Sequence, residues 1–419
     1  MSAPTPVVTS SGVPADTEAP NRRRQWRARA WAVLPPVVSY LVGHLLYTVA
    51  GWLVGEPYLP VDGRVRADSG LYALIASRGY DLFPCRDDPG LAPLFSPDAW
   101  CGSAGWFPLY PGLIKVITTI TSFGEYEAGL LITEVCLLAT AALLWLLLRR
   151  AAVARGTALA VLALATVLPS GVYLHAVFPM SLAAALLLCC VVALHARRWA
   201  VAGLLGAVVA AAYPVGILVA ALGLGPVAVL RHRRELTWPQ AVRAALLACG
   251  LPLLGLAAVF AVYQLAVGHW DAYLMIQRHY GNGFHNPLTS LWQLATQPAV
   301  IPVPEPRQEL LWVLYVFTDA ELYWSLGLVL LCAAAAALAA RRGTLTPVDV
   351  GLALYALAMF VGPLVAGPGV SQYRSHTLLL PAVLLLRHLS PRLILWPYTA
   401  TALAIALPMG TLFSTWLLF

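Results

Sequence analysis

Eleven apolar runs, most of them separated by short arginine-bearing or turn-forming segments, leave this chain few ways to fold. They lie near residues 31–54, 128–148, 157–175, 178–195, 199–212, 214–230, 241–267, 322–340, 347–366, 376–388 and 393–416. About 20 mostly apolar residues cross the roughly 30 Å of membrane hydrocarbon. Several runs are shorter, which predicts tilted or broken spans. Hydrophobic residues make up 60% of the chain and charged residues 11%, against roughly 45–50% and about 25% in soluble proteins. A soluble globule with so little charge could not cover its surface. Disordered, coiled-coil, collagen-like and disulfide-stapled secreted chains are excluded on the same grounds. An outer-membrane barrel is excluded because the runs are continuous and do not alternate. The expected fold is an all-α polytopic membrane protein of about eleven transmembrane helices, within a range of nine to thirteen.

The net charge of +7 is no nucleic-acid signal, because its meaning lies in where the charges fall. Lys115 is the sole lysine among 26 basic residues, an arginine bias that suggests a high-GC bacterial genome. With a cytoplasmic N-terminus, 18 of the 26 cations fall inside and 8 outside, as the positive-inside rule requires. The expected location is therefore a bacterial plasma membrane. Residues 1–28 read as a disordered, basic cytoplasmic tail. They do not read as a signal peptide, since the apolar run that follows is too long and no small-residue cleavage site appears. Residues 29–419 read as one transmembrane catalytic domain. Two outer loops are long, 55–127 and 268–321, which suits an enzyme working at the outer leaflet better than a transporter. Cys136, Cys189, Cys190, Cys249 and Cys332 fall in spans as packing residues. Cys85 and Cys101 share the first outer loop, where a disulfide and two free thiols are both open.

The stretch RVRADSGLYALIASRGYD (residues 64–81) carries the most information. Asp68 precedes an apolar pattern at Leu71, Leu74 and Ile75, and Gly79 follows as a stop, which predicts a short amphipathic helix. Tyr72 and Tyr80 flank it and suggest an interfacial position. The Asp68 carboxylate can cap this helix, face a lipid-borne substrate, or do both with its two oxygens. GWFPLYPGLIKVI (residues 105–117) has two prolines three apart before an apolar helix. We expect a second interfacial helix there, with a true span as the alternative.

An acidic residue after the first span, two interfacial helices and an aromatic–proline motif together resemble the GT-C glycosyltransferase superfamily. Within it the pattern resembles the PIG-V-like mannosyltransferases. Asp68, Tyr72, Ile75, Ala76, Gly79 and Tyr80 match that family's Asp-to-Tyr segment, and FPLYP (residues 107–111) its next motif. VFPMS (177–181), GHWDAYLMIQRHYGNGFHNPL (268–288) and SQYRSHTLLLP (371–381) follow in the family's order. The chain departs from the pattern at Ala67, where the family has Trp, at His269-Trp270-Asp271, and at Tyr213, where an Arg is expected. The resemblance implies a GT-C-like bundle. It also implies transfer of a sugar from a polyprenyl-phosphate donor to a lipid or glycan acceptor, with mannose favoured and arabinofuranose open.

Such a transfer needs a carboxylate as general base and cationic or amide donors for the leaving phosphate. Asp68 is the candidate base. Arg374 is the first candidate for the phosphate. Gln277, His279, Tyr72, His175 and Arg66 are further candidates for substrate, with Arg278, His285 and Asn286 behind them. Asp271 reads as a helix cap before a second acid. Glu134 lies inside an apolar span, where an acid is a functional candidate by default, though it can equally be hydrated or paired. No phosphate-binding GxxxxGK loop, no GxGxxG after a strand, no Asp-x-Asp pair and no His/Glu metal constellation occurs. A lipid-linked donor is thus favoured over a nucleotide sugar. No cofactor and no metal site is expected; a divalent ion held by Asp68 together with substrate stays open. The partners expected are donor, acceptor and membrane lipid, without nucleic acid. The alternatives are a transporter or lipid flippase, for which neither an inverted repeat nor paired mid-span charges are visible, and an envelope acyltransferase.

Overall fold

The computed structural model describes residues 18–93, 96–296, 311–368 and 372–416. It is a polytopic all-α membrane protein. Among the described residues, seven helices are long and apolar enough to cross a bilayer: Arg29–Leu53, Glu125–Arg150, Pro214–His232, Trp238–Val267, Val316–Arg341, Pro347–Ala366 and Pro391–Ser414. The other four expected runs are helical but short. They are Arg155–Thr166, Met180–His195, Trp199–Ala212 and a 3-10 segment, Thr377–His388.

The short helices tolerate their length because most of them sit inside the bundle. Met180–His195 buries twelve of its sixteen residues, and Thr377–Leu386 is buried throughout. A helix that is apolar all round belongs in a core. The 3-10 winding also reaches further, about 2.0 Å per residue or roughly 24 Å over this segment. The outer helices instead expose apolar faces, such as Leu131, Val135 and Leu138 on Glu125–Arg150, which only lipid can cover. Small residues let the helices approach closely. A Cβ on Gly255 would come within 2.0 Å of Ala207 O, and one on Gly225 within 2.2 Å of Gly351 N.

Two boundaries differ from expectation. The first helix begins at Glu18, so residues 18–28 of the expected tail are helical; Arg, Gln and Ala there are good helix formers. Residues 1–17 lie outside the described residues. The helix before Arg341 begins at Leu311, so the second outer loop is shorter than 268–321.

The bundle has two unlike ends. At one, arginine-bearing turns are tied together: Arg197 to Glu235 at 2.5 Å, Arg233 to Leu345 O and Arg342 to His388 O, both at 3.3 Å. Buried Asp349 accepts from Arg387 at 2.7 and 2.8 Å there. At the other end lie the long loops. The first contains the helices Ser69–Arg78 and Leu109–Ile120 and a short antiparallel pair, Phe83–Pro84 with Trp100–Cys101. A Cys85–Cys101 disulfide closes that pair, which decides the pairing the sequence left open. The second loop contains Ala272–His279 and Pro287–Thr296. It is stitched to the helix ending at Ala366 by Gly283 N to Ala366 O, 2.8 Å, and His285 N to Val365 O, 2.9 Å.

Candidate active site

Asp68 stands at the cap position of Ser69–Arg78, yet its side chain makes no capping bond. The backbone explains why. A capping residue normally has extended geometry, whereas Asp68 is already helical at φ −71, ψ −1. The preceding Ala67 takes φ 48, the left-handed region, which for a non-glycine costs roughly 1–2 kcal/mol. That turn leaves the Asp68 carbonyl to take the Leu71 and Tyr72 amides and frees the carboxylate. The far end of the helix follows expectation, with Gly79 at φ 85 and its amide bonded to Ile75 O.

The freed carboxylate pairs with Arg374, 306 residues later in the chain. Arg374 sits on the short helix Gln372–His376, which is pinned on both sides. Gln372 Nε2 donates to Gly367 O at 2.6 Å. His376 Nδ1 lies 3.0 Å from the buried Glu321 carboxylate, and Thr377 Oγ1 donates to Ser170 O at 3.0 Å. The guanidinium lies 5.7 Å from the ring centres of both Tyr173 and Phe178. Burial works against its charge, but Asp68 and the nearby tyrosines outweigh burial and hold its pKa well above the usual arginine value.

Asp68 and Arg374 face a cavity of about 460 Å³ whose wall includes Tyr72, Trp106, Phe107, Tyr213, Tyr273, Gln277, Tyr280, Asn282 and Gln372. The first loop supplies Trp106, whose carbonyl accepts from the Tyr80 hydroxyl at 2.7 Å and the Tyr263 hydroxyl at 3.2 Å. The second loop supplies Gln277, whose Oε1 accepts from Asn282 at 2.5 Å. Tyr72 is buried edge-on to Tyr110 and Phe178. Burial first and the Asp68 charge second push its hydroxyl pKa well above 10.0, so it remains a neutral donor. The wall is thus aromatic, with one carboxylate, one guanidinium and several amides. Such surfaces suit a polyhydroxylated ring carrying an anionic group.

No protein-family model matches the chain, and no curated protein matches it. Among solved structures, the apo oligosaccharyltransferase of Archaeoglobus fulgidus matches with a TM-score of 0.48 at 15% identity, over 94% of this chain and 56% of that one. The Archaeoglobus fulgidus oligosaccharyltransferase AglB in complex with an inhibitory peptide and a dolichol-phosphate matches with a TM-score of 0.45, at the same identity and coverage. This chain spans little more than half the length of those proteins.

Of the candidates read from sequence, Asp68, Tyr72, Gln277 and Arg374 meet at this cavity. Three do not. His175 is buried elsewhere, beside His44 and Tyr47 at ring distances of 4.9 Å. It lies against the cluster in which Glu134 accepts from Tyr40 at 2.5 Å, from His44 at 3.1 Å and from Arg64. Arg66 is a tether: it reaches the carbonyls of Asp62, Val65 and Ser414, lies 3.6 Å from Glu56 and covers the Trp416 ring. His279 ends the helix Ala272–His279, and its side chain lies outside the described residues. Asp271 stands at the cap position of that helix without a capping bond, and Arg278 is exposed. Asn286 accepts from the Leu288 amide at 2.9 Å.

Tyr213, Tyr273, Tyr280, Asn282 and Gln372 were not foreseen as wall residues. The signal was partly present. Four of them fall within the two late motif segments, and Tyr213 is the position where the sequence departs from the family's arginine. Among the described residues, no group of three His, Cys, Asp or Glu side chains is placed to hold a metal ion.

Proposed function

We propose that this chain is a GT-C-type membrane glycosyltransferase. It moves a single sugar, mannose in the first instance, from a polyprenyl phosphate to a lipid or glycan acceptor at the outer face of a bacterial membrane. The observation that carries the reading is the meeting of Asp68 and Arg374 across 306 residues at the wall of a cavity of about 460 Å³. The cavity opens at the end of the bundle opposite the arginine-rich turns, and the positive-inside rule makes that end extracytoplasmic. A donor whose isoprenoid tail stays in the bilayer would present its phosphate and sugar at this depth.

The ion pair gives the reaction an order. The donor phosphate competes with Asp68 for the Arg374 guanidinium, whose planar fork suits a phosphate as well as a carboxylate. Displaced from Arg374, Asp68 can accept a proton. The acceptor hydroxyl oxygen then attacks the anomeric carbon from the face opposite the phosphate. The C–O bond to phosphate breaks, its electron pair leaves with the phosphate, and Arg374 stabilises that charge. Asp68 takes the hydroxyl proton, and the anomeric configuration inverts.

The test is transfer from polyprenyl-phosphate mannose in proteoliposomes. Asp68→Asn still accepts a bond from Arg374 and keeps the fold, but it cannot take the proton. We expect transfer to fall by about 10²–10⁴. Wild-type turnover in this variant would remove the assignment.

A further inference from the structure

The arginine-rich end of the bundle holds a second cavity, of about 680 Å³. Its lining residues fall in three segments, 151–157, 338–346 and 387–394. Arg342 and Arg387 line it; Arg155, Arg341 and Arg392 lie in the same segments, Arg149 and Arg150 just before the first, and no acidic residue falls in any of the three. The acid nearest to hand, Asp349, is buried and engaged by Arg387, by the Thr346 amide at 2.9 Å and by His388 Nε2 at 3.5 Å. Among the described residues, the other six arginines make no ion pair.

The wall has the two chemistries of a lipid head. Arg342, Thr157, Thr344 and Ser390 make one part polar, while Val153, Leu338 and Ile394 make another apolar. Arg342 is exposed and its guanidinium donates to a single backbone carbonyl, that of His388, at 3.3 Å. A guanidinium has five N–H donors, so most remain for a ligand. His388 also lines the cavity, and its Nε2 lies 3.5 Å from the Asp349 carboxylate.

We propose that this cavity binds the phosphate headgroup of an anionic phospholipid from the inner leaflet. Basic pockets between helix ends on the cytoplasmic side are where such headgroups are held, and the apolar part of the wall meets the first carbons of the acyl chains. The proposal rests on the membrane reading and its sidedness, and it is independent of the sugar-transfer reaction.

The experiment is a lipid titration of the purified full chain followed by native mass spectrometry, with phosphatidylglycerol and phosphatidylcholine in parallel. We expect phosphatidylglycerol to bind at least about tenfold more tightly, and millimolar inorganic phosphate to displace it. Arg342→Gln should remove most of that preference. Arg198→Gln, an exposed arginine at the same end but outside the cavity, should leave it intact. Equal binding of the two lipids overturns the proposal, as does a preference that survives Arg342→Gln. Phosphate bound in an Arg342-dependent way without any phosphatidylglycerol binding also overturns it, in favour of a soluble anion. The wild-type comparison of the two lipids decides the matter even where a variant fails to fold.

Discussion

Glu134 with Arg64 and Asp68 with Arg374 are both carboxylate–arginine pairs at the loop-bearing end of this bundle. Glu134 is saturated. Tyr40, His44 and Arg64 all donate to it, and Arg64 in turn holds His175 O at 2.7 Å. The cavity beside that cluster is about 30 Å³, room for little more than a water. Asp68 is met by Arg374 and opens on a space fifteen times larger, about 460 Å³. The same two functional groups thus make a fastener in one place and an exchangeable pair in the other. What separates the roles is the number of competing donors and the room for a ligand to replace one partner.

The sharpest break between the pairs comes from neutralising each acid. Asp68→Asn should lower kcat by about 10²–10⁴ with little change in melting temperature. Glu134→Gln should do the reverse. It strands the buried Arg64 charge and costs about 3–5 kcal/mol of stability, while turnover per folded molecule stays within a few-fold of wild type. Thermal melts and initial rates on the same preparations separate the outcomes. A Glu134→Gln variant that melts normally and fails to turn over would reverse the roles assigned here.

Smaller effects sharpen the contrast. Arg374→Lys keeps the charge but loses the planar fork. Donor KM should rise about tenfold, the equivalent of about 1.4 kcal/mol, with a lesser change in kcat. An equal loss in donor and acceptor KM would argue against a phosphate role. Ala67→Gly should have the least effect on stability, within about 1 kcal/mol, because relief of the left-handed strain at φ 48 is offset by glycine's added freedom when unfolded. Ala67→Val, with a β-branched side chain at that φ, should lose both stability and transfer. Paired melts and rate assays on the two variants check this.

The sequence made the bundle legible because hydrophobic runs and arginine placement act over whole segments. Each of the eleven runs contains helix, though the one expected at 157–175 stops at Thr166 and resumes only as the short turn Val172–His175, and the Ser69–Arg78 helix with its Gly79 stop lies where Asp68 and the apolar spacing put it. Side-chain direction was not legible. Whether the Asp68 side chain caps the helix was open, and the positive φ of Ala67 with the helical geometry of Asp68 accounts for the absence of a capping bond. Arg66 and His175 carry the right chemistry, but bonds to backbone carbonyls and burial against Tyr47 take them elsewhere. Tyr273, Tyr280 and Asn282 reach the cavity only because the second loop folds back onto the helix ending at Ala366, a contact with no local signature.

The central claim is that Arg374 trades a carboxylate for a phosphate. A cryo-EM map of the protein with a non-hydrolysable polyprenyl-phosphonate sugar tests it most directly. The account predicts the phosphonate within hydrogen-bond reach of the Arg374 guanidinium, the sugar among Tyr72, Tyr213 and Gln277, and the Asp68 carboxylate parted from Arg374. A phosphonate bound at another site, with the Asp68–Arg374 pair still closed, would contradict it.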